Sequence, residues 1–154
     1  MSATLRGLGL CVDDLSATWG TSSAPSIVPG TKVLADDGEY KFIYNVGSMT
    51  ITQYYPACEY GSSTTGYCCA GDNSTVLTYD MAGVAMTDIA SANYGFVKCY
   101  GRVTARVSTT ATAGYACACV GSYLLADAAS TAQQVGVVIY GTTAAGTCIV
   151  KLNI

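Results

Sequence analysis

Histidine is absent from the 154 residues of this chain. That removes the commonest general base at neutral pH, the usual partner of a nucleophilic serine or cysteine, and the commonest nitrogen ligand of a metal. Charge is scarce as well: 11% of residues are Asp, Glu, Lys or Arg, against ~25% in an ordinary globular protein. The only two glutamates, Glu39 and Glu59, each stand beside a tyrosine with no further pattern around them. With these players missing, the chain reads as non-catalytic and without a cofactor or metal. The seven basic residues are scattered and the net charge is -3, which argues against a nucleic-acid surface, since that needs clustered Lys and Arg. No apolar run is long enough for a membrane-spanning helix. The first residues, MSATLRGLGLCVDDL, lack the apolar core of a secretory signal. The expectation is a chain made in a cytosol that stays off membranes, an expectation in tension with its eight cysteines, since disulfides belong to oxidising compartments.

What is present points to β structure. Seventeen glycines, only three prolines and abundant Thr, Val, Tyr and Ala favour strands joined by tight turns. The central stretch is GVAMTDIASANYGFVKCYGRVTARV, residues 83–107. Within it Val97, Cys99, Gly101, Val103, Ala105 and Val107 alternate with Phe96, Lys98, Tyr100, Arg102, Thr104 and Arg106, the period of two of a half-buried strand. Asn93 is read as the turn that admits the chain to it. Asp37-Gly38 lies between two strand-like runs and predicts a hairpin. Residues 46–57, VGSMTITQYYPA, read as a further strand that Pro56 stops. After the turn STTATAG come strands over 115–120, 135–140 and 147–152, with a short alanine-rich helical segment at 125–134 between the first two. The fold expected is all-β, an antiparallel β-sandwich or β-barrel with an extended N-terminal arm.

Two regions depart from this regularity. Residues 1–30 carry no persistent period and read as the arm, preceding a β-rich domain over 31–154. Trp19, the chain's only tryptophan, is either the anchor of that arm on another subunit, in keeping with the enrichment of Trp at interface hot spots, or is tucked into its own domain. Residues 57–74, ACEYGSSTTGYCCAGDNS, form a Cys-rich loop or ribbon insertion of the kind that is functional when ordered. Its sequon at Asn73 lacks a secretory context. Adjacent Cys68 and Cys69 point to opposite sides of an extended chain, and Cys117 and Cys119 are too far apart along one strand to bridge. Cys58 can meet Cys68 or Cys69 if residues 59–67 fold back as a hairpin, so these three are the disulfide candidates. Buried thiols packed as small hydrophobes are the alternative, and the spacings match no zinc knuckle. Trp19, Tyr54, Tyr55, Tyr60 and Tyr67 are the candidate contact residues, because tyrosine covers area while keeping its hydroxyl wet.

The phrases GTKVLADDGEYKFIYNVG, GVAMTDIASANYGFVKCYGRVTARVSTTATAG and QQVGVVIYGTTAAGTCIVKLNI, spread over most of residues 30–154, resemble the small β-rich decoration (cement) proteins of tailed-bacteriophage capsids. The Cys-rich insert departs from that pattern. The resemblance implies a virion protein, assembled in the host cytoplasm and seated on the capsid exterior as a homotrimer that clamps neighbouring major capsid subunits. Other readings stand beside it. One is a tail, neck or head-fibre protein, another a carbohydrate-binding β-sandwich whose exposed tyrosines stack on sugars. A third is a hydrolase using Asp80 or Asp88 with Lys98.

Overall fold

The computed structural model describes residues 4–5, 10–11, 15–59, 69–70, 81–107, 110–120, 124–127 and 134–154. The described residues form strands, turns and irregular chain, without an α-helix. Short strands β1 (Thr4–Leu5) and β2 (Leu10–Cys11) pair with each other, and β3 (Trp19–Gly20) pairs with the main sheet. The others are β4 (Lys32–Ala35), β5 (Gly38–Tyr44), β6 (Pro56–Cys58), β7 (Cys69–Ala70), β8 (Met81–Ala85), β9 (Asn93–Val107), β10 (Ala116–Val120), β11 (Leu124–Asp127), β12 (Gln134–Tyr140) and β13 (Gly146–Asn153).

The expected central strand is β9, and at fifteen residues it is longer than the alternation alone marked out. Its first half pairs antiparallel with β5 and β8, and its second half with β13. From β13 the sheet runs through β12 and β10 to β11, which returns to β9 through one parallel bridge, Leu125 to Val107. The second half of β9 is therefore a stave of a small closed barrel, and the first half belongs to an open sheet with β4, β5, β8, β6 and β7. The change of partner falls at Gly101, where φ is +100°. Gly101 stands opposite Gly38. A Cβ on Gly38 would lie 2.0 Å from the Tyr100 carbonyl oxygen, and one on Gly101 would lie 2.5 Å from that of Asp37. Only glycine lets β5 and β9 touch there.

Three apolar clusters follow from this layout. The barrel is filled by Val103, Ala105 and Val107 of β9 with Cys148, Val150 and Leu152 of β13, Val138 of β12 and Cys117 of β10. The two faces of the open sheet carry the others: Ile43 and Val97 with Ile51, Ala85 and Ile89 on one, Phe42, Phe96, Tyr40 and Leu15 on the other. Trp19 belongs to the second face. Its ring centroid lies 6.0 Å from that of Phe42 and 6.1 Å from that of Phe96, and its backbone pairs with Tyr94. Of the two readings of Trp19 the structure takes the domestic one. Leu15, Trp19 and Ile27 pack on the chain's own sheet, because a Trp and a Leu gain more by covering two phenylalanines than by waiting for a partner.

Two local expectations are corrected. Residues 46–55 are irregular apart from a bridge between Ile51 and Ile89, and Pro56 opens β6 instead of stopping a strand. The cause is Asn45, fully buried. Its amide nitrogen donates to the carbonyls of Met49 (2.8 Å) and Ile89 (2.9 Å), and its side-chain oxygen accepts from the Gly47 amide at 3.0 Å. One side chain thus does the work of a ladder and frees the segment from strand geometry. Of the helical segment expected at 125–134, the described ends are strand: Leu124–Asp127 is β11, opposite β10, and Gln134 opens β12, while residues 128–133 lie outside the described residues. Barrel closure outweighs the weak helix preference of its alanines.

Replacing Asn45 by Ala removes three hydrogen bonds from a fully buried side chain and leaves a small void, while the Ile89 carbonyl keeps the Ile51 amide. Asn45→Ala is expected to lower the unfolding free energy by about 3 kcal/mol, measured by urea titration with the emission of Trp19 as the signal.

Candidate binding surface

Lys98 is the one buried cation of β9, only 2% exposed. Its Nζ lies 2.5 Å from Oδ2 of Asp37, in the turn between β4 and β5, and 5.1 Å from the centre of the Tyr40 ring. The Tyr40 hydroxyl donates to both oxygens of the same carboxylate, at 3.0 and 2.8 Å. Partial burial alone would raise the Asp37 pKa, but the hydrogen bonds from Lys98 and Tyr40 and the Lys98 charge outweigh it and hold it below its ordinary value. Burial, then the neighbouring carboxylate, push the Tyr40 phenol well above its usual range. Asp88 does not join Lys98: its Oδ1 accepts from the backbone of Gln53 at 2.7 Å. Asp80 lies outside the described residues. An ammonium held against a carboxylate has no lone pair for nucleophilic attack, so the cluster reads as a lock on the hairpin. Among the described residues no three Cys, Asp or Glu side chains gather as a metal site, and no helix is long and apolar enough to cross a membrane.

The candidate contact residues part company. Tyr54 and Tyr55 are half-buried in a turn clipped to the sheet. The Tyr54 amide donates to Ala85 and its carbonyl accepts from Arg106, while the Tyr55 carbonyl accepts from Ala85. Tyr54 takes φ +71° to do so, and these are supporting roles. Tyr60, Tyr67 and Cys68 lie outside the described residues. Cys58 is buried, and the register of β6 and β7 sets it directly opposite Cys69. Cys99 differs: its thiol is fully buried, donates to the Glu39 carbonyl at 3.5 Å, and has its pKa raised by burial.

The surface that is open lies elsewhere, on the outside of the barrel. Tyr100, Arg102, Thr104 and Arg106 of β9 alternate with the barrel-filling residues, and the register places Asn153, Lys151, Ile149 and Thr147 of β13 opposite them. Val137 and Tyr140 of β12 continue the rows, opposite Lys151 and Ile149. Tyr100, Val137 and Tyr140 are 44%, 41% and 65% exposed. Between the strands is a notch of about 400 Å³ lined by Tyr100, Gln134, Gly136, Val137, Lys151 and Asn153. Sequence reasoning placed the tyrosines of residues 54–67 in contact and missed these. The alternation of β9 already set Tyr100, Arg102 and Arg106 on one face, but the residues that complete the surface come from β12 and β13, further along the chain.

No family model, curated protein or solved structure matches this chain.

Two outcomes follow. Asp37→Ala leaves Lys98 charged and dry and is expected to cost about 2 kcal/mol, less than a fully buried pair because Asp37 faces water. Lys98→Met removes the charge that needs a partner, leaves Asp37 hydrated, and is expected to cost less than Asp37→Ala in the same urea titration. Because the Asp37 pKa is lowered on folding, its contribution is complete above ~3.9 and is lost as pH falls through the lower folded value. Asp37→Asn should therefore blunt acid unfolding below pH ~4. The second outcome concerns thiols. Denatured, unreduced protein is expected to titrate fewer than eight thiols per chain, and Cys58→Ser to raise the count although it removes a cysteine.

Proposed function

We propose that this chain is a virion structural protein that binds the outside of a tailed-phage capsid and stabilises the shell without catalysis. The observation that carries the reading is the edge at β4. Among the described residues β4 is ladder-paired only with β5, and the short β1 lies close to it. Leu34 on β4 and Val28, in the turn that leads into it, are each 74% exposed. Exposed aliphatic side chains beside a strand with a single described ladder partner suit the docking of an extended partner segment, the side chains supplying specificity. The resemblance of residues 30–154 to decoration proteins supplies the partner, the major capsid protein, and a trimeric arrangement.

The physics of such a role is mass action. A ligand that binds only the assembled lattice shifts the equilibrium toward it, and contacts repeated by symmetry gain from effective concentration. Rigidity matters more than reactivity here, and the closed barrel with its hairpin lock provides it.

Heads prepared with and without the protein are compared under heat and osmotic shock. Protection is expected, with labelled protein mapping to the shell. Leu34→Lys is expected to weaken shell binding at least ~10-fold while leaving the Trp19 emission unchanged. Equal survival of bare heads, or label on the tail, would overturn the reading.

A further inference from the structure

Three of the four lysines are ion-paired, Lys32 with Glu39, Lys41 with Glu59 and Lys98 with Asp37. Lys151 is not, and it lines the notch on the outer barrel face. Among the described residues Lys151 shares this with Arg102 and Arg106, and all three are exposed on the outer barrel face of a chain of net charge -3. The cross-strand neighbour of Lys151 is Arg102. The remaining walls are the side-chain amides of Gln134 and Asn153, the ring of Tyr100 opposite Asn153, and Val137. Among the described residues none of these polar side chains has a hydrogen-bond or ion-pair partner in the protein. A Cβ on Gly136 would lie 2.3 Å from the Lys151 carbonyl oxygen, so the floor there is bare backbone.

We propose that this notch is a binding site for a carboxylate-bearing pyranose, a hexuronate or a related acidic sugar. The size fits: binding clefts begin at ~300 Å³. Each wall matches one part of such a ring. The tyrosine face covers an apolar C–H face while its hydroxyl stays wet. Each amide offers both donor and acceptor, as ring hydroxyls require. The Lys151 ammonium forms a charge-assisted bond to the carboxylate, and Arg102 reinforces the field. No acidic side chain lines the notch, which would otherwise repel the anion. The site is open and makes few contacts, so affinity per residue is in the millimolar range, and avidity from several copies raises it. The inference is independent of the capsid reading: no residue of β4 lines the notch, which lies on β9, β12 and β13.

The test is titration of the ¹⁵N-labelled full chain with glucuronate, glucose and adenosine monophosphate, followed by amide shifts. Glucuronate is expected to move Tyr100, residues 134–137 and residues 151–153 with a saturating curve, and glucose to bind at least ~10-fold more weakly. Lys151→Gln, an exposed change that leaves the barrel core untouched, is expected to remove that preference, and Tyr100→Ala to weaken both sugars. Arg106→Gln, two rows away on the same face, is expected to change nothing. No response up to tens of millimolar, equal response to glucose and glucuronate, or loss on Arg106→Gln as great as on Lys151→Gln overturns the proposal. A stronger response to adenosine monophosphate replaces the sugar by a nucleotide. None of these results alters the comparison of heads with and without the protein, so failure here and failure of the capsid reading are told apart.

Discussion

A fifteen-residue strand extends about 50 Å, while a compact chain of this length has a radius of gyration of about 15 Å. Such a strand cannot stay flat within one layer, and the pairing of β9 along both edges shows how the conflict is resolved. It bends at Gly101, lends its first half to an open sheet and its second to a barrel. The remaining strands take their places from it. β5 and β8 flank the first half, β13 lies along the second, and β11 closes the ring at its last residue. The three apolar clusters sit in the spaces this bend creates.

Charge is spent in the same sparing way. The chain buries one ammonium, and does so where β9 changes partner, under the turn that carries Asp37. The asymmetry is informative: Lys98 is dry and Asp37 is 61% exposed in its side chain. The carboxylate can find water if the pair is broken and the ammonium cannot. The pair is thus less a source of stability than a device that makes one hairpin register costly to leave. Asn45 does the same with neutral groups for the irregular segment that follows.

Much of this architecture was legible in the residues. The period of two in 96–107, the DG hairpin signal and the C-terminal strands correspond to β9, the β4–β5 hairpin, β12 and β13 within a few positions. The turn into β9 lies at Ser91 and Ala92, with Asn93 already in the strand. What failed was wherever a distant partner decides. Thr50 to Tyr54 has the composition of a strand, yet Asn45 satisfies the backbone around it by side chain. The alanines near 125 favour helix, yet the free edges of β9 and β10 recruit that segment as β11. Trp19 could be anchor or core, and the choice rests on Phe42 and Phe96, more than twenty positions away. The notch was invisible for the same reason: no period or motif says that Tyr100 will stand beside Asn153.

The placement of β13 between β12 and β9 sets an order on events during synthesis. The hairpin of β4 and β5 and the first half of β9 are available early, and they can pair as soon as they have been made. The barrel cannot. The stave that joins β12 to β9, β13, follows the other described strands, so the inner faces of β9 and β12 wait uncovered until residues 146–153 have been added. Folding of the two halves is then separated in time by the translation of some fifty residues, at ~5–20 residues per second. Half of β9 is left for that interval as an exposed ribbon.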